Sequence, residues 1–247
     1  MNRKLLTFLL VLIITVTCST QLFAAGENKP VQMNADTIEY DSVQGVMVAK
    51  GGVTVTQDNA VMTGETVVYN TKTQEATITG NVKVVRDKTT LTAPTVLAKN
   101  NNHIIATGGA VLVNSDKTLR GPQIEYFADK QYSIVTGGAT VTSLEEVMTA
   151  DLVEAFHAED RAIAKGNVHI VSDVRKLDAT SELATYYGPK AQQQQNRVIL
   201  SGNARAVQEN NVLTGNTLTI YLDDKAIDAQ GRSKLVVIPQ AQQNGTK

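Results

Sequence analysis

Residues 76–98 read ATITGNVKVVRDKTTLTAPTVLA. Ala76, Ile78, Gly80, Val82 and Val84 share one parity while Thr77, Thr79, Asn81 and Lys83 take the other, which is the alternation of a half-buried strand and not of a helix. Leu91 and Ala93 begin a second alternation, but its apolar parity slips by one to reach Val96 and Ala98. Such a slip is what a bulge or a corner produces. A glycine midway along an alternating strand marks a bend or a close backbone approach. Gly80 is therefore predicted to be a corner where the strand leaves one sheet and enters a second.

Outward from this stretch both phrases recur. Gly51, Gly80, Gly108, Gly137, Gly166, Gly202 and Gly231 open GGVTV, GNVKV, GGAVL, GGATV, GNVHI, GNARA and GRSKL, and five of the six gaps are 28 or 29 residues. The second phrase reads MNADTIEY from Met33, then MTGETVVY, LTAPTVLA, LRGPQIEY, MTADLVEA, LDATSELA and LTGNTLTI. Self-similarity at a fixed period is the signature of a repeat architecture, in which one supersecondary unit is stacked on the next. The one long gap, Gly166 to Gly202, holds an insertion around Pro189 and the run Gln192 to Gln195, read as a solvated loop.

Turn-forming clusters separate the phrases: Gln57-Asp58-Asn59, Asn70-Thr71-Lys72, Asn100 to Asn102, Asn114-Ser115-Asp116, Asp129-Lys130 and Asp223-Asp224-Lys225. Links this short join antiparallel strands and leave no room for helical crossovers. The expected fold is all-β: a repeat-built antiparallel β jelly roll, or open two-sheet solenoid, of about 14 strands. A single domain of about seven repeats is expected at residues 25–239, followed by a polar disordered tail at 240–247. With no Trp and only 4% aromatic residues, its inward face must be aliphatic.

The first residues serve targeting. Arg3 and Lys4 precede an apolar run from Leu5 to Val16, and the small pair Ala24-Ala25 follows, as in a secretory signal peptide spanning residues 1–24. Thr17 before Cys18 is a poor match to the small residues that lipoprotein signals favour. Cleavage after Ala24 leaves 21 basic against 24 acidic side chains, a formal charge of −3, and no cysteine. That balance gives no reason to expect nucleic acid, and a cysteine-free chain meets no redox problem in an oxidising compartment.

Chemistry-bearing clusters are scarce. His103, His157 and His169 fall in different repeats without metal-ligand spacing, and are read as surface or turn residues. Glu145-Glu146, Glu159-Asp160 and Asp223-Asp224 fall in predicted turns, where solvated charge explains them better than acid–base chemistry. Tyr40, Tyr69, Tyr126 and Tyr186 recur at one phase and are read as strand ends with hydroxyls near solvent. Glu182 takes the slot that Ile38, Val67, Val96, Ile124, Val153 and Leu218 hold elsewhere. Either the sheet opens there or the strand shifts register. No catalytic residue, metal or cofactor is expected, and the chain reads as a non-enzyme.

MNADTIEYD, GNVKV, LRGPQIEY and LTGNTLTIYLDD resemble the motifs of the LptA/OstA family of periplasmic lipopolysaccharide transport proteins, over almost all of the chain beyond residue 24. The resemblance implies a β jelly roll in the periplasm whose interior holds lipopolysaccharide acyl chains. It also implies partners at both ends, LptC-like at the inner membrane and LptD-like at the outer membrane. Shielding each methylene of an acyl chain from water is worth about 0.8 kcal/mol, so a continuous aliphatic trough could carry such a lipid. Its expected lining is Val53, Val55, Ile78, Val82, Val84, Leu112, Ile124, Val141, Val168 and Ile170. Those residues could equally fill a closed core. The array must also end in unpaired edges, expected at Met33, Ala35, Ile38 and Tyr40 and at Leu235, Val236, Val237 and Ile238, where strand pairing would build a head-to-tail homo-oligomer. The alternatives are a membrane-anchored LptC-like component of the same pathway, which would retain residues 1–24, and a structural β solenoid.

Overall fold

The computed structural model describes residues 32–238 except positions 58, 100–102, 115, 116, 144, 145, 190, 192–195 and 225. The expected signal peptide, the tail at 240–247 and the run Gln192 to Gln195 lie outside the described residues. The strands are β1 (Gln32–Asn34), β2 (Thr37–Asp41), β3 (Val46–Gln57), β4 (Ala60–Asn70), β5 (Glu75–Arg86), β6 (Thr89–Lys99), β7 (His103–Asn114) and β8 (Lys117–Phe127). They continue with β9 (Tyr132–Thr142), β10 (Glu146–Phe156), β11 (Arg161–Ser172), β12 (Leu177–Tyr187), β13 (Arg197–Gln208), β14 (Asn211–Tyr221), β15 (Ile227–Gln230) and β16 (Lys234–Val236). A 3-10 turn at His157–Glu159 links β10 to β11.

Strand order in space follows strand order in the chain, and every pairing is antiparallel. β1 and β2 both pair with β3, through Met33↔Val55 and Ile38↔Ala49, so they are the halves of one broken strand. β15 and β16 divide β14 in the same way, through Ile227↔Ile220 and Leu235↔Leu213. Sixteen strands therefore fill fourteen places in one open sheet. The all-β, antiparallel architecture read from the alternation and the short turns is the one observed.

Each glycine corner from Gly51 to Gly202 is a β-bulge. On β5 the register runs Thr79↔Thr95 and then Val82↔Ala93, so Gly80 and Asn81 stand opposite Pro94 alone. Both residues are left-handed, at φ +84 and +48. Glycine adopts that conformation freely, and Asn is among the few other residues that reach it at modest cost. The ladder resumes beyond every bulge, so the two layers are halves of a single folded sheet. A spine of bulges runs along the fold. The strand-to-strand turns form two rims, one from 41–46 to 221–227 and the other from 57–60 to 208–211.

The layers bury their inward faces against each other. Ile78, Val96, Ala98 and Ile104 of one layer surround the same small cavity as Met62, Val84 and Leu91 of the other. The core runs without a break from Ala49 to Leu222 and is built of Ala, Val, Ile, Leu and Met, with Tyr186 as its one aromatic among the described residues.

The alternative left open at Glu182 resolves as a register shift. Most turns of the second rim hold two residues, as between Arg86↔Thr89 and Gln208↔Asn211, but Ser172↔Leu177 encloses four. Those two additional residues displace the corner of β12 to Ser181-Glu182. Glu182 then covers Gly202 as Glu65 covers Gly80, and accepts a 2.6 Å hydrogen bond from Asn203 Nδ2. Ala184, 4% exposed, fills the inward slot instead.

Candidate functional site

All ten residues expected to line a trough point inward. Val53, Ile78, Val82, Val168 and Ile170 are essentially inaccessible, and Val55, Val84, Leu112, Ile124 and Val141 are buried. They come together as one lining that passes from strand to strand, because each cross-strand neighbour shares the inward parity, as in Met62↔Val84 and Leu119↔Val141.

That lining is closed on itself. The cavity between Met62, Ile78, Val84, Leu91, Val96, Ala98 and Ile104 measures about 30 Å³. Pockets that hold drug-sized ligands run to roughly 300–1,000 Å³. The interior described here is thus a packed two-layer core, and a ligand of that size would fit only if the layers parted. Fully buried large side chains recur along the whole axis, Ile78 and Ile170 among them, and half-buried apolar ones occur toward both ends, Leu213 and Ile227 at the C-terminal one. Tyr69, Leu91 and Ile104 are half-buried at the rims of the N-terminal part. Leu177, Tyr186, Leu200, Leu218, Ile220 and Leu222 of the C-terminal part are at most 2% exposed.

The two ends differ from the middle. Met33 and Ala35 are half-buried and pack on the core, whereas Ile38 and Tyr40 are exposed. Leu235, Val236, Val237 and Ile238 are exposed as well. The C-terminal edge is broader than the sequence reading had it, because β15 carries the other half of the last place in the sheet. β16 ends at Val236, so Val237 and Ile238 lie just past it, and the Ile238 amide donates to Asn211 Oδ1 at 3.2 Å. Among the described residues, β1 and β2 pair only with β3, and β15 and β16 only with β14.

Several polar residues sit deeper than their turn positions implied. Glu146 and Asp160 are 8% and 6% exposed and are not solvated hairpin charges. Asp160 is left-handed at φ +50, and its carbonyl accepts the Gly188 amide at 2.8 Å, which folds the start of the insertion over it. A Cβ on residue 188 would collide with the Asp160 carboxyl group. Asp223 and Asp224 remain exposed. Tyr40 is exposed, and Tyr69 and Tyr126 are half-buried, but Tyr186 is 1% exposed and its hydroxyl has no hydrogen-bond partner among the described residues. Burial, with Asp160 and Asp223 nearby, holds that phenol above the usual tyrosine range.

The histidines also separate. His169 is an exposed partner of Asp178, and His103 is half-buried against Glu125 and stacked on Phe127 with ring centroids 4.1 Å apart. His157 is held between Ser133, 3.1 Å from its Nε2, and the Tyr126 ring, and burial lowers its pKa to about 4.

One outward feature was missed from sequence. His103, Phe127, Tyr132, Phe156, Arg161, Tyr187, Arg197 and Tyr221 are successive cross-strand partners in a single row. Arg161 lies 4.1 Å over the Phe156 ring, and Tyr132 donates to Glu154 Oε1 at 2.7 Å. Burial alone would raise Glu154, but its hydrogen bonds from Lys165 and Tyr132 hold it below the usual carboxylate range. The signal was present in the sequence as aromatic or arginine residues closing or opening strands, but only the register aligns them.

Comparison with known proteins was made on this geometry. The family model described as LptA/(LptD N-terminal domain) LPS transport protein matches residues 17–75, 32–132 and 69–159, together more than half of the chain. The chain is also similar to the crystal structure of LptH, the LptA homologous periplasmic component of the conserved lipopolysaccharide transport device from Pseudomonas aeruginosa. That likeness has 17% identity and a TM-score of 0.19, and it covers 85% of this chain and 96% of that one. No curated protein matches the chain in sequence.

Proposed function

Because the chain belongs to the LptA/LptD N-terminal domain family of LPS transport proteins, we propose that it is a non-enzymatic periplasmic carrier of lipopolysaccharide. Acyl chains lie between its two layers, and its open edges pair with LptC-like and LptD-like neighbours or with further copies of itself. The observation that carries this reading is the unbroken aliphatic lining from β3 to β14. Each methylene placed there is worth about 0.8 kcal/mol relative to water. A lining of similar residues in every repeat offers no single position of tight binding, so a chain can slide along it. The layers are joined along the spine and meet at their rims only through side chains and turns, so the parting that admits lipid leaves the backbone ladder intact. The edges support the bridging half of the reading, since a stack of strands ends in donors and acceptors that a neighbouring strand can satisfy.

The test is photo-crosslinking to lipopolysaccharide in the cell envelope. A photoreactive residue at Val82 or Ile124 is expected to capture lipopolysaccharide, and the same residue at Lys83 or Lys165, on the outward parity, is expected not to. Equal capture from both parities, or capture from neither, would exclude the interior as the carrying surface.

A further inference from the structure

The turn between β11 and β12 is longer than its two-residue counterparts. Its four residues, Asp173 to Lys176, project from the second rim, and Arg175 reaches across the mouth of the fold to the first rim. There the guanidinium is hydrogen-bonded to the turn after β14. Nη2 donates to the carbonyl of Leu222 at 2.7 Å, to that of Asp224 at 3.4 Å and to that of Tyr221 at 3.5 Å. Nη1 donates to the Tyr221 carbonyl at 3.4 Å.

The base of this arm is fixed. The Arg175 amide donates to Ser172 Oγ at 3.3 Å, Gln208 Nε2 donates to the Arg175 carbonyl at 3.4 Å, and the Glu209 amide donates to that of Lys176 at 3.3 Å. The receiving turn is fixed as well, through Leu222 N to Asn196 O at 2.9 Å and Asn196 Nδ2 to Asp223 Oδ1 at 2.9 Å. The Arg175 side chain thus ties the two rims, and the core of this part of the fold holds the fully buried Tyr186, Leu177, Leu200, Leu218, Ile220 and Leu222.

We propose that Arg175 is a latch that sets how much of the interior lipid can occupy: acyl chains reach the C-terminal third only when the guanidinium leaves the carbonyls of Tyr221, Leu222 and Asp224. This rests on the carrier reading for its lipid, but the latch itself concerns the protein alone. Hydrogen bonds from a charged donor are the stronger kind, and planar guanidinium spans several acceptors at once where an ammonium cannot. The acceptors are neutral carbonyls, so the contact can be exchanged without stranding a buried carboxylate.

The test places spin labels on both rims, at Val174→Cys and Ala226→Cys in a Cys18→Ser background, both sites being exposed. One short distance is expected in the parent protein. Arg175→Ala is expected to add a longer population without lipid, and Arg175→Lys a smaller one. A distance distribution unchanged by Arg175→Ala would overturn the latch.

A second measurement needs no loss of Arg175. Bridging the same two cysteines with a short bis-maleimide is expected to lower lipopolysaccharide capture several-fold from a photoreactive residue at Leu213, while capture from Leu91 is unchanged. Undiminished capture at Leu213 in the bridged protein would also overturn the latch. Failure to capture lipid from either position in any form would instead sink the carrier reading, with the spin-label distances still deciding the latch.

Discussion

Gly80 and Gly52 occupy neighbouring places on the spine and should answer differently to substitution. Gly80 is left-handed at φ +84, and a Cβ there would lie 2.5 Å from that of Glu65. Gly80→Ala is expected to cost about 1–3 kcal/mol, the usual range for a residue held in a disfavoured backbone region. Gly52, at φ +52, has nothing within 4 Å of its notional Cβ, and of the equivalent bulge positions three are Asn81, Asn167 and Asn203 while Gly109 and Gly138 hold the others. Gly52→Asn should be neutral or gain up to about 1 kcal/mol by restricting the unfolded chain. Urea denaturation of both variants checks this, and equal losses would mean that the spine does not discriminate by contact. His157 adds a pH effect. Burial holds it to about 4, and in the unfolded chain it titrates near its ordinary value of about 6.5. Between those values the unfolded state binds a proton that the folded state refuses. Stability present above pH about 6.5 is therefore lost as the pH falls toward 4, by at most about 3 kcal/mol. His157→Gln should flatten that part of the stability–pH curve, and an unchanged slope would assign it to other groups.

At the scale of elements, the outermost strands carry the assembly argument. Among the described residues β16 pairs with β14 alone, through Val212↔Val236 and Leu213↔Leu235. Its outer side faces away from the sheet, beside exposed Leu235, Val236 and Val237. Charges on a sheet edge are a common device against edge-to-edge pairing. Val236→Lys combined with Ile238→Asp should therefore abolish concentration-dependent oligomers while leaving the central strands folded. Sedimentation of both proteins over a range of concentrations measures it. A parent protein that stays monomeric, or a variant that assembles as well, would remove end-to-end pairing from the account. The breaks that divide β1 from β2 and β15 from β16 fall at the spine, at Ala35-Asp36 and Gly231, so each edge presents one half-strand to each layer.

For the whole molecule, each place in the sheet pairs only with the places before and after it, so stability approximates a sum of neighbouring strand-to-strand interfaces along one continuous core. Hydrogen exchange should be graded accordingly. Protection is expected to be high from β4 to β13, to be reinforced in β11 to β13 where Arg175 ties the rims, and to be lowest in β1, β2, β15 and β16 at the two ends. Mass spectrometry of peptide fragments resolves this, and uniform protection would indicate a single cooperative unit. The same linear build suits carriage, since lengthening the stack extends the lining without altering its cross-section.

The period of two, the glycines 28 or 29 residues apart and the turn clusters determined strand identity, antiparallel order and the inward parity of residues such as Ile78 and Val168, because these depend on local backbone geometry. The family motifs were legible for the same reason. Long-range register was not. Two additional residues between Ser172 and Leu177 moved Glu182 from an apparent interior slot to the spine, and no local pattern reveals where a shifted strand re-enters the ladder. The depth of Tyr186, Glu146, Asp160 and His157 likewise depends on how turns fold over the mouth. Whether the lining is open or packed was undetermined for a deeper reason: parity sets which face a side chain takes, but only the approach of the opposite layer sets what it meets. Arg175 meets the carbonyls of Tyr221, Leu222 and Asp224, separated from it by 46 to 49 residues, because folding brings two distant turns to opposite rims of one mouth.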